Sequence, residues 1–598
     1  MTKAIDVSKF CDVKQQIQHL IESSIKKLQS IGKLSKDIKP LIRVERTRAK
    51  EYGDFASSIA MALAETTGYK SRELAQLIID YLPSSKYIGT ITIAGPGFIN
   101  FYLTEVAIRS VVADILESKG NYGHSNFGES KRINVEFVSA NPTGPLHIGH
   151  GRGAAYGDTV ANLLEAIGYQ VDREYYVNDV GRQMHILAIS VWLRYLSLFT
   201  DLPHFPISGY KGNYILDIAK QLQADYGDQF KCPLEKIFTK LPQDTNQNGD
   251  SEVYVDALIM KSKTLLGERD YSIIFEVGLQ TILNDIKQDL SEFGVSFQNW
   301  FFESSLMANN DIKKCIDDLR HKGHLYEKDG ALWFKATDFG DEKDRVVVRE
   351  NGQTTYFASD IGYHFNKYQR AYDQIIDVFG ADHHGYAPRI RAFLQAAGLN
   401  LNKFQVLLVQ FAILYRGKQR VQMSTRGGEF VTLRELREEV GNDVTRFFYI
   451  MRKNDQHLDF DLDLAKEQSV NNPVYYIQYA HARICSVMHQ LQEKKLSWSQ
   501  SQGLNNLGLL RETEEEKLLR TLQDYKSTLQ SAAQRYEPHL LAHYLQELAD
   551  DFHAYYDAHQ FLVEKQKLRD ARLCLIMAVK QIFVNGLTLL KISVPETM

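Results

Sequence analysis

Near the start of the chain, apolar residues recur at three- and four-residue steps: Ile17, Leu20, Ile21, Ile25 and Leu28. That spacing predicts an amphipathic helix. Ile59, Met61 and Leu63, then Leu74, Leu77 and Ile78, predict further helices. Thr90-Ile91-Thr92-Ile93-Ala94 alternates as a strand does, Gly95-Pro96-Gly97 turns, and Phe98 to Tyr102 is again apolar-rich. Residues 1–125 therefore read as a small α+β unit, ending in a polar, glycine-bearing linker from Asn121 to Gly128.

From Ile133 the texture changes. Ile133 to Val138 predicts a strand, Gly151 to Ala166 a helix and Val171 to Val177 a second strand, the order of a parallel α/β unit. The alternation returns with Thr355–Ala358 as strand, Asp360–Arg370 as helix, Asp373–Phe379 as strand and Pro388–Ala397 as helix. Residues 126–420 are thus expected to form a Rossmann-like doubly wound domain. The mixed, polar stretch of about 195–345 reads as an insertion into it. Residues 421–470 link this domain to residues 471–598, where long periodic runs such as Leu518, Leu519, Leu522 and Ile576, Val579, Ile582, Phe583 predict an all-helical domain. The fold class is α/β and multidomain.

Length supports that division: 598 residues at about 150 per domain give roughly four. A content of 44% hydrophobic and 24% charged residues suits several buried cores. The net charge of -4 gives no sign of a membrane-surface role, and it neither favours nor excludes nucleic acid, for which a local basic face suffices. No run of 18 apolar residues spans a bilayer, and Met1 to Asp6 lacks a signal-peptide pattern. The cysteines Cys11, Cys232, Cys315, Cys485 and Cys574 are too widely spaced for a metal knuckle. A cytoplasmic protein with reduced thiols and no structural metal site is expected.

Candidate chemistry concentrates in Asn141-Pro142-Thr143-Gly144-Pro145-Leu146-His147-Ile148-Gly149-His150-Gly151-Arg152-Gly153. The prolines end the strand and delay the helix. His147 and His150, three apart, share one helix face. The glycines clear space for a ligand. A helix start after a strand favours anions, and the two histidines with Arg152 add donors, so the segment reads as a phosphate clamp. A dinucleotide-type glycine turn would follow its strand directly, without this proline-containing loop.

The His147-Ile148-Gly149-His150 segment resembles the signature of class I aminoacyl-tRNA synthetases. Glu136 to Leu146 before it resembles the arginyl-tRNA synthetase family specifically, and the similarity runs to the closing Leu589–Glu596. The resemblance implies ATP-dependent activation of arginine and its transfer to arginine tRNA. It assigns ATP and its phosphates to His147, Gly149, His150 and Gly151, with His383 also at the nucleotide. It assigns arginine to Glu136, Ser139, Asn141, Tyr356 and Asp360, with Asp382 as a further candidate. Carboxylates suit a guanidinium, which is planar and always charged. Magnesium is implied with ATP, and binding of tRNA before activation is a family habit.

The family's second signature is a mobile lysine-bearing loop. Here it reads Gln422-Met423-Ser424-Thr425-Arg426: Met423 and Ser424 match and contact ATP by resemblance, but both lysine positions are changed. The lysine that compensates in some relatives is Gly144 here. Arg426, supported by Arg420 or Lys418, is the expected catalytic cation. The helical domain resembles the family's anticodon-binding domain, with Tyr476, Tyr479 and Arg483 as tRNA contacts. A monomer is expected. The rivals are another class I synthetase, which would lack the Glu136, Tyr356 and Asp360 set, and a catalytically inactive RNA-binding relative, favoured only by the altered second signature.

Overall fold

The computed structural model describes residues 13–47, 50–245, 250–421 and 431–598. At its centre lies a five-stranded, all-parallel sheet: β1 (Arg132–Glu136), β2 (Gln170–Val177), β3 (Asn299–Phe302), β4 (Gln374–Gly380) and β5 (Phe404–Val409), in the spatial order β5-β4-β1-β2-β3. Parallel strands are covered on both faces, and Ile133 and Val135 of β1 and Ile375 and Ile376 of β4 are accordingly fully buried, as are the polar Asn134 and Asp377 among them. The order reverses direction between β1 and β4. In such sheets ligands bind beyond the strands' carboxyl ends at that point.

Three helices aim residues at this crevice. The helix α1 (Ile148–Ala166) follows β1, α2 (Tyr356–Gln369) precedes β4, and α3 (Tyr386–Ala396) follows it. Gly157 lets α1 lie on β1, since a Cβ there would meet the Phe137 ring at 2.4 Å.

Two sequence expectations change. Thr355–Ala358 is not a strand: the Thr355 side chain accepts from the Ala358 amide and starts α2. A β-branched N-cap followed by aromatic residues looks extended in sequence, but a local cap decides it. The stretch 195–345 is also not one insertion, because Asn299–Phe302 is the edge strand β3 of the main sheet. Four residues without alternation gave no strand signal. Helices occupy most of residues 182–292 before it. A three-stranded antiparallel meander (Leu325–Lys328, Ala331–Phe334, Arg345–Val348) lies between β3 and α2.

The N-terminal unit is a four-stranded antiparallel sheet with helices, anchored on the C-terminal helical bundle through Arg520 to Asp54 and Arg46 to Asp524. The bundle begins with Pro473–Glu493 and ends with Gln566–Leu589. That last helix is long and apolar enough to cross a bilayer, yet its Leu573, Ile576, Val579, Ile582 and Phe583 are fully buried in the protein core.

Candidate active site

The carboxyl end of β1 breaks into an unusual backbone. Val138 and Ser139 both adopt positive φ, 68° and 42°. For a β-branched residue this is strained, and such strain gathers at functional sites. The turn brings the Ser139 hydroxyl to the Glu136 carboxylate (2.9 Å) and accepts the Tyr176 amide on the same oxygen (3.1 Å). Together with the start of α1, the Gly380–His383 turn, Tyr386 and Gln410-Phe411, it encloses a cavity of about 410 Å³.

His147 is the N-cap of α1. Its Nδ1 accepts from the Gly149 amide (3.1 Å) and the His150 amide (3.4 Å), and His150 Nδ1 accepts from the His147 amide (3.3 Å). The rings stack with centroids 3.5 Å apart. Because each Nδ1 accepts, each ring is the neutral tautomer with its proton on Nε2. Burial drives both pKa values down, that of His150 to about 3, with His147 contributing. Each ring is therefore uncharged and carries its N–H on Nε2. Gly149 permits the cap, since a Cβ there would lie 2.9 Å from the His147 ring.

Several expected roles move. The first amides of α1 are not free for an anion: Ile148 donates to the Val431 carbonyl (3.3 Å) and Gly149 and His150 to the His147 ring. Arg152 is not a phosphate donor. It is fully buried, and its guanidinium is spent on the carbonyls of Gln410 (2.6 Å), Gln456 (2.8 Å), Lys453 (3.1 Å) and Tyr449 (3.4 Å). Gly151 faces Leu433 and Tyr449 rather than the cavity, where Gly153 stands instead.

Among the arginine candidates, Glu136, Ser139, Asn141, Asp360 and Asp382 line the cavity, as does His383. Tyr356 is 55% exposed on the first turn of α2 and is not among the lining residues. Glu136 is already engaged: buried Lys367 donates to it at 2.5 Å and to Asp377 at 2.6 Å.

Asp360 is different. Among the described residues no Lys or Arg forms an ion pair with it. Burial pushes its carboxyl up to about 7; His364 opposes this and the like charge of Glu303 adds to it. Sequence reasoning missed Glu303. It follows β3 directly, is buried, and takes side-chain hydrogen bonds from Ser359 and Tyr176, while burial raises its pKa. The only sequence signal was an acid closing the aromatic run Trp300-Phe301-Phe302. Asp360 thus brings a carboxylate with no ion-pair partner among the described residues to the cavity wall, with the like charge of Glu303 behind it.

Met423, Ser424 and Arg426 lie outside the described residues. Both ends of their loop are placed, however. It leaves from a hairpin of Ala412–Arg416 and Gln419–Arg420, with Lys418 and Arg420 exposed. It returns at Thr432, which bridges His147 in antiparallel fashion, and Leu433 donates to the Leu146 carbonyl (2.8 Å). Residues 431–433 thereby pair with the segment that opens the first signature.

A five-stranded 3-2-1-4-5 sheet, with a His-x-x-His helix start at its switch point and residues 431–433 paired beside it, defines a class I aminoacyl-tRNA synthetase catalytic domain. The comparisons agree. The model described as "tRNA synthetases class I (R), catalytic domain" matches residues 111–485. The "Arginyl tRNA synthetase N terminal domain" matches 15–103, and the "DALR anticodon binding domain" matches 477–598. The chain belongs to the arginyl-tRNA synthetase family. It is 56% identical to the arginine–tRNA ligase of Thioalkalivibrio sulfidiphilus over 587 residues, covering 98% of this chain and 100% of that protein. It is 55% identical to the arginine–tRNA ligase of Coxiella burnetii over 586 residues, with 98% and 100% coverage. The fold superposes on the arginyl-tRNA synthetase of Thermus thermophilus with a TM-score of 0.72 at 22% identity, covering 98% of this chain and 100% of that one.

Proposed function

We infer that the chain is an arginine–tRNA ligase. It joins arginine to ATP, forming arginyl-adenylate and pyrophosphate, and transfers the arginyl group to the 3′ end of arginine tRNA with release of AMP. The observation that supports this most directly is Asp360, which lines the cavity at the switch point with buried Glu303 behind it; among the described residues neither acid forms an ion pair with a Lys or Arg. A guanidinium supplies the missing charge in forked hydrogen bonds, whereas an uncharged side chain would leave both carboxylates unpaired. Glu136, Ser139 and Asn141 complete the polar wall. His147 and His150 present their Nε2–H groups to the phosphates, with Gly149 and Gly153 giving clearance and His383 and Asp382 at the rim.

Magnesium would enter with the nucleotide. Among the described residues no three His, Cys, Asp or Glu side chains converge on a metal position, and an ion bridging phosphates needs no protein cage. Transfer RNA would meet the helical domain at a half-buried cluster. There Tyr476 packs on His553 (4.3 Å between centroids), and Arg483 lies over Tyr479 (4.7 Å) and Tyr556 (4.4 Å). Arg483 also pairs with Asp557 (3.1 Å), so rings rather than free charge dominate this face. Family resemblance supports a monomer acting in the cytoplasm.

The test is aminoacylation of a mixed tRNA pool with each amino acid in turn. Charging by arginine alone is expected. No charging with any amino acid, with tRNA still bound, would assign the chain to an inactive relative.

The missing loop lysine makes a second prediction. With tRNA present, Arg426→Ala or Arg420→Ala should slow arginine-dependent pyrophosphate exchange by about 100-fold, the usual cost of losing one transition-state donor. Near-normal rates in both would remove arginine from this role.

A further inference from the structure

The helix α2 carries a second set of residues one turn below the pocket. Asp360, Tyr363, His364 and Lys367 recur at three- and four-residue steps and so share one face, turned towards β1, β4 and β2. Lys367 is fully buried, with its ammonium between the Glu136 carboxylate of β1 (2.5 Å) and the Asp377 carboxylate of β4 (2.6 Å). The other oxygen of Asp377 meets His364 Nε2 at 2.8 Å, and His364 Nδ1 meets the Asp360 carbonyl at 2.7 Å. The connection is continuous: Glu136, Lys367, Asp377, His364, Asp360. Both ends line the cavity, and the three middle residues do not.

The remaining charged neighbour has its own partners. Glu174 of β2 is paired with Arg370 and accepts from the Tyr363 hydroxyl (2.6 Å), and it acts on Lys367 only as a more distant like-signed companion of Glu136 and Asp377. Burial pulls the pKa of Lys367 down, but Asp377 and Glu136, with Glu174 behind them, hold it above the ordinary lysine value. The ammonium is thus a permanent internal cation.

We propose that Lys367 is a positioning residue for arginine recognition: it fixes the Glu136 carboxylate, neutralises it against a second substrate cation, and through Asp377 and His364 holds the turn of α2 that presents Asp360. This rests on the reading of Asp360 as a guanidinium partner. It gives the pocket two kinds of acid. Asp360, at the cavity wall, forms no ion pair with a Lys or Arg among the described residues, whereas Glu136 and Asp377 are closed by a cation that the protein supplies. Arginine then has one charge-matched orientation rather than two.

The test compares wild type with Lys367→Met, using arginine, ATP and tRNA as the varied substrates. The variant should raise the KM for arginine at least tenfold while the KM for ATP stays within threefold. Uncompensated Glu136 and Asp377 carboxylates would then take up protons at neutral pH. The arginine KM should therefore depend more steeply on pH between 6 and 8 than in wild type. Should the variant fail to fold, Asp377→Asn, which retains the Lys367–Glu136 pair but frees the ammonium from β4, should raise the arginine KM severalfold. An arginine KM within twofold of wild type in a folded variant would overturn the proposal. So would a parallel rise for arginine and ATP, which marks a general loss of structure. A wild-type protein that charged no arginine would sink the underlying reading instead.

Discussion

Asp360→Asn should cut kcat/KM for arginine by about 30- to 5,000-fold, the range set by roughly 2–5 kcal/mol for removing one partner of a buried charged pair. The change is nearly isosteric, so α2 and its cap at Thr355 should survive. The ATP KM should stay close to wild type if Asp360 serves arginine, as proposed. A pH dependence accompanies the loss. Burial puts the free carboxyl near about 7, and a bound guanidinium must lower it. Binding therefore releases a proton, and the arginine KM of wild type should fall as pH rises from 6 to 8. Over that range arginine keeps its own charges, since its guanidinium and α-ammonium titrate higher. In Asp360→Asn the slope should shrink to whatever Glu303 contributes. An arginine KM in the variant within threefold of wild type would remove Asp360 from the pocket. A flat wild-type profile would mean that the carboxyl is already ionised before arginine arrives.

The large architecture was legible because it rests on periodicity. The parallel strands β1, β2 and β4 announce themselves as short β-branched and aromatic stretches between helices, and the C-terminal bundle as long helical periodicity. The signature helix start was legible because glycine, proline and histidine at fixed offsets have few other uses. What escaped depends on contacts between distant segments. Glu303 lies 57 positions before Asp360 in the numbering, and nothing local marks it as the second acid of the pocket. Arg152 looked like a donor because it follows two histidines. Its destination is set by carbonyls at 410, 449, 453 and 456, which no spacing rule reveals. Glu136 looked like an open carboxylate until Lys367, 231 residues away, was found on it. Sequence patterns report which face a residue shares. They do not report which charges are already spent.

The histidine pair illustrates the same distinction and gives the other large effect. His150→Asn should lower kcat for adenylate formation by about 100- to 1,000-fold, equivalent to roughly 2.7–4 kcal/mol for one lost transition-state donor, with little change in the ATP KM. The substitution separates two functions of one ring. An asparagine side-chain oxygen can stand where Nδ1 accepts from the His147 amide, so the cap of α1 is retained. Nothing then reaches where Nε2–H pointed. His150→Gln should do the reverse, keeping a distal N–H and weakening the cap. If the histidines served the helix alone, Asn would be the benign variant and Gln the harmful one. If they serve the phosphates, the order inverts. The neutral tautomers add a further constraint. Burial pushes His150 down to about 3 and lowers His147 as well, and the Nδ1 of each ring is held as an acceptor, so the arrangement favours two neutral rings between pH 6 and 8. Stabilisation of the pentavalent phosphorus must come from fixed N–H dipoles, whose strength does not vary over that range. The kcat of adenylate formation at saturating arginine should accordingly be flat there, while the arginine KM is not. A kcat that fell with an apparent pKa near that of free histidine would show that the stacked pair works as an acid–base couple rather than as two oriented donors.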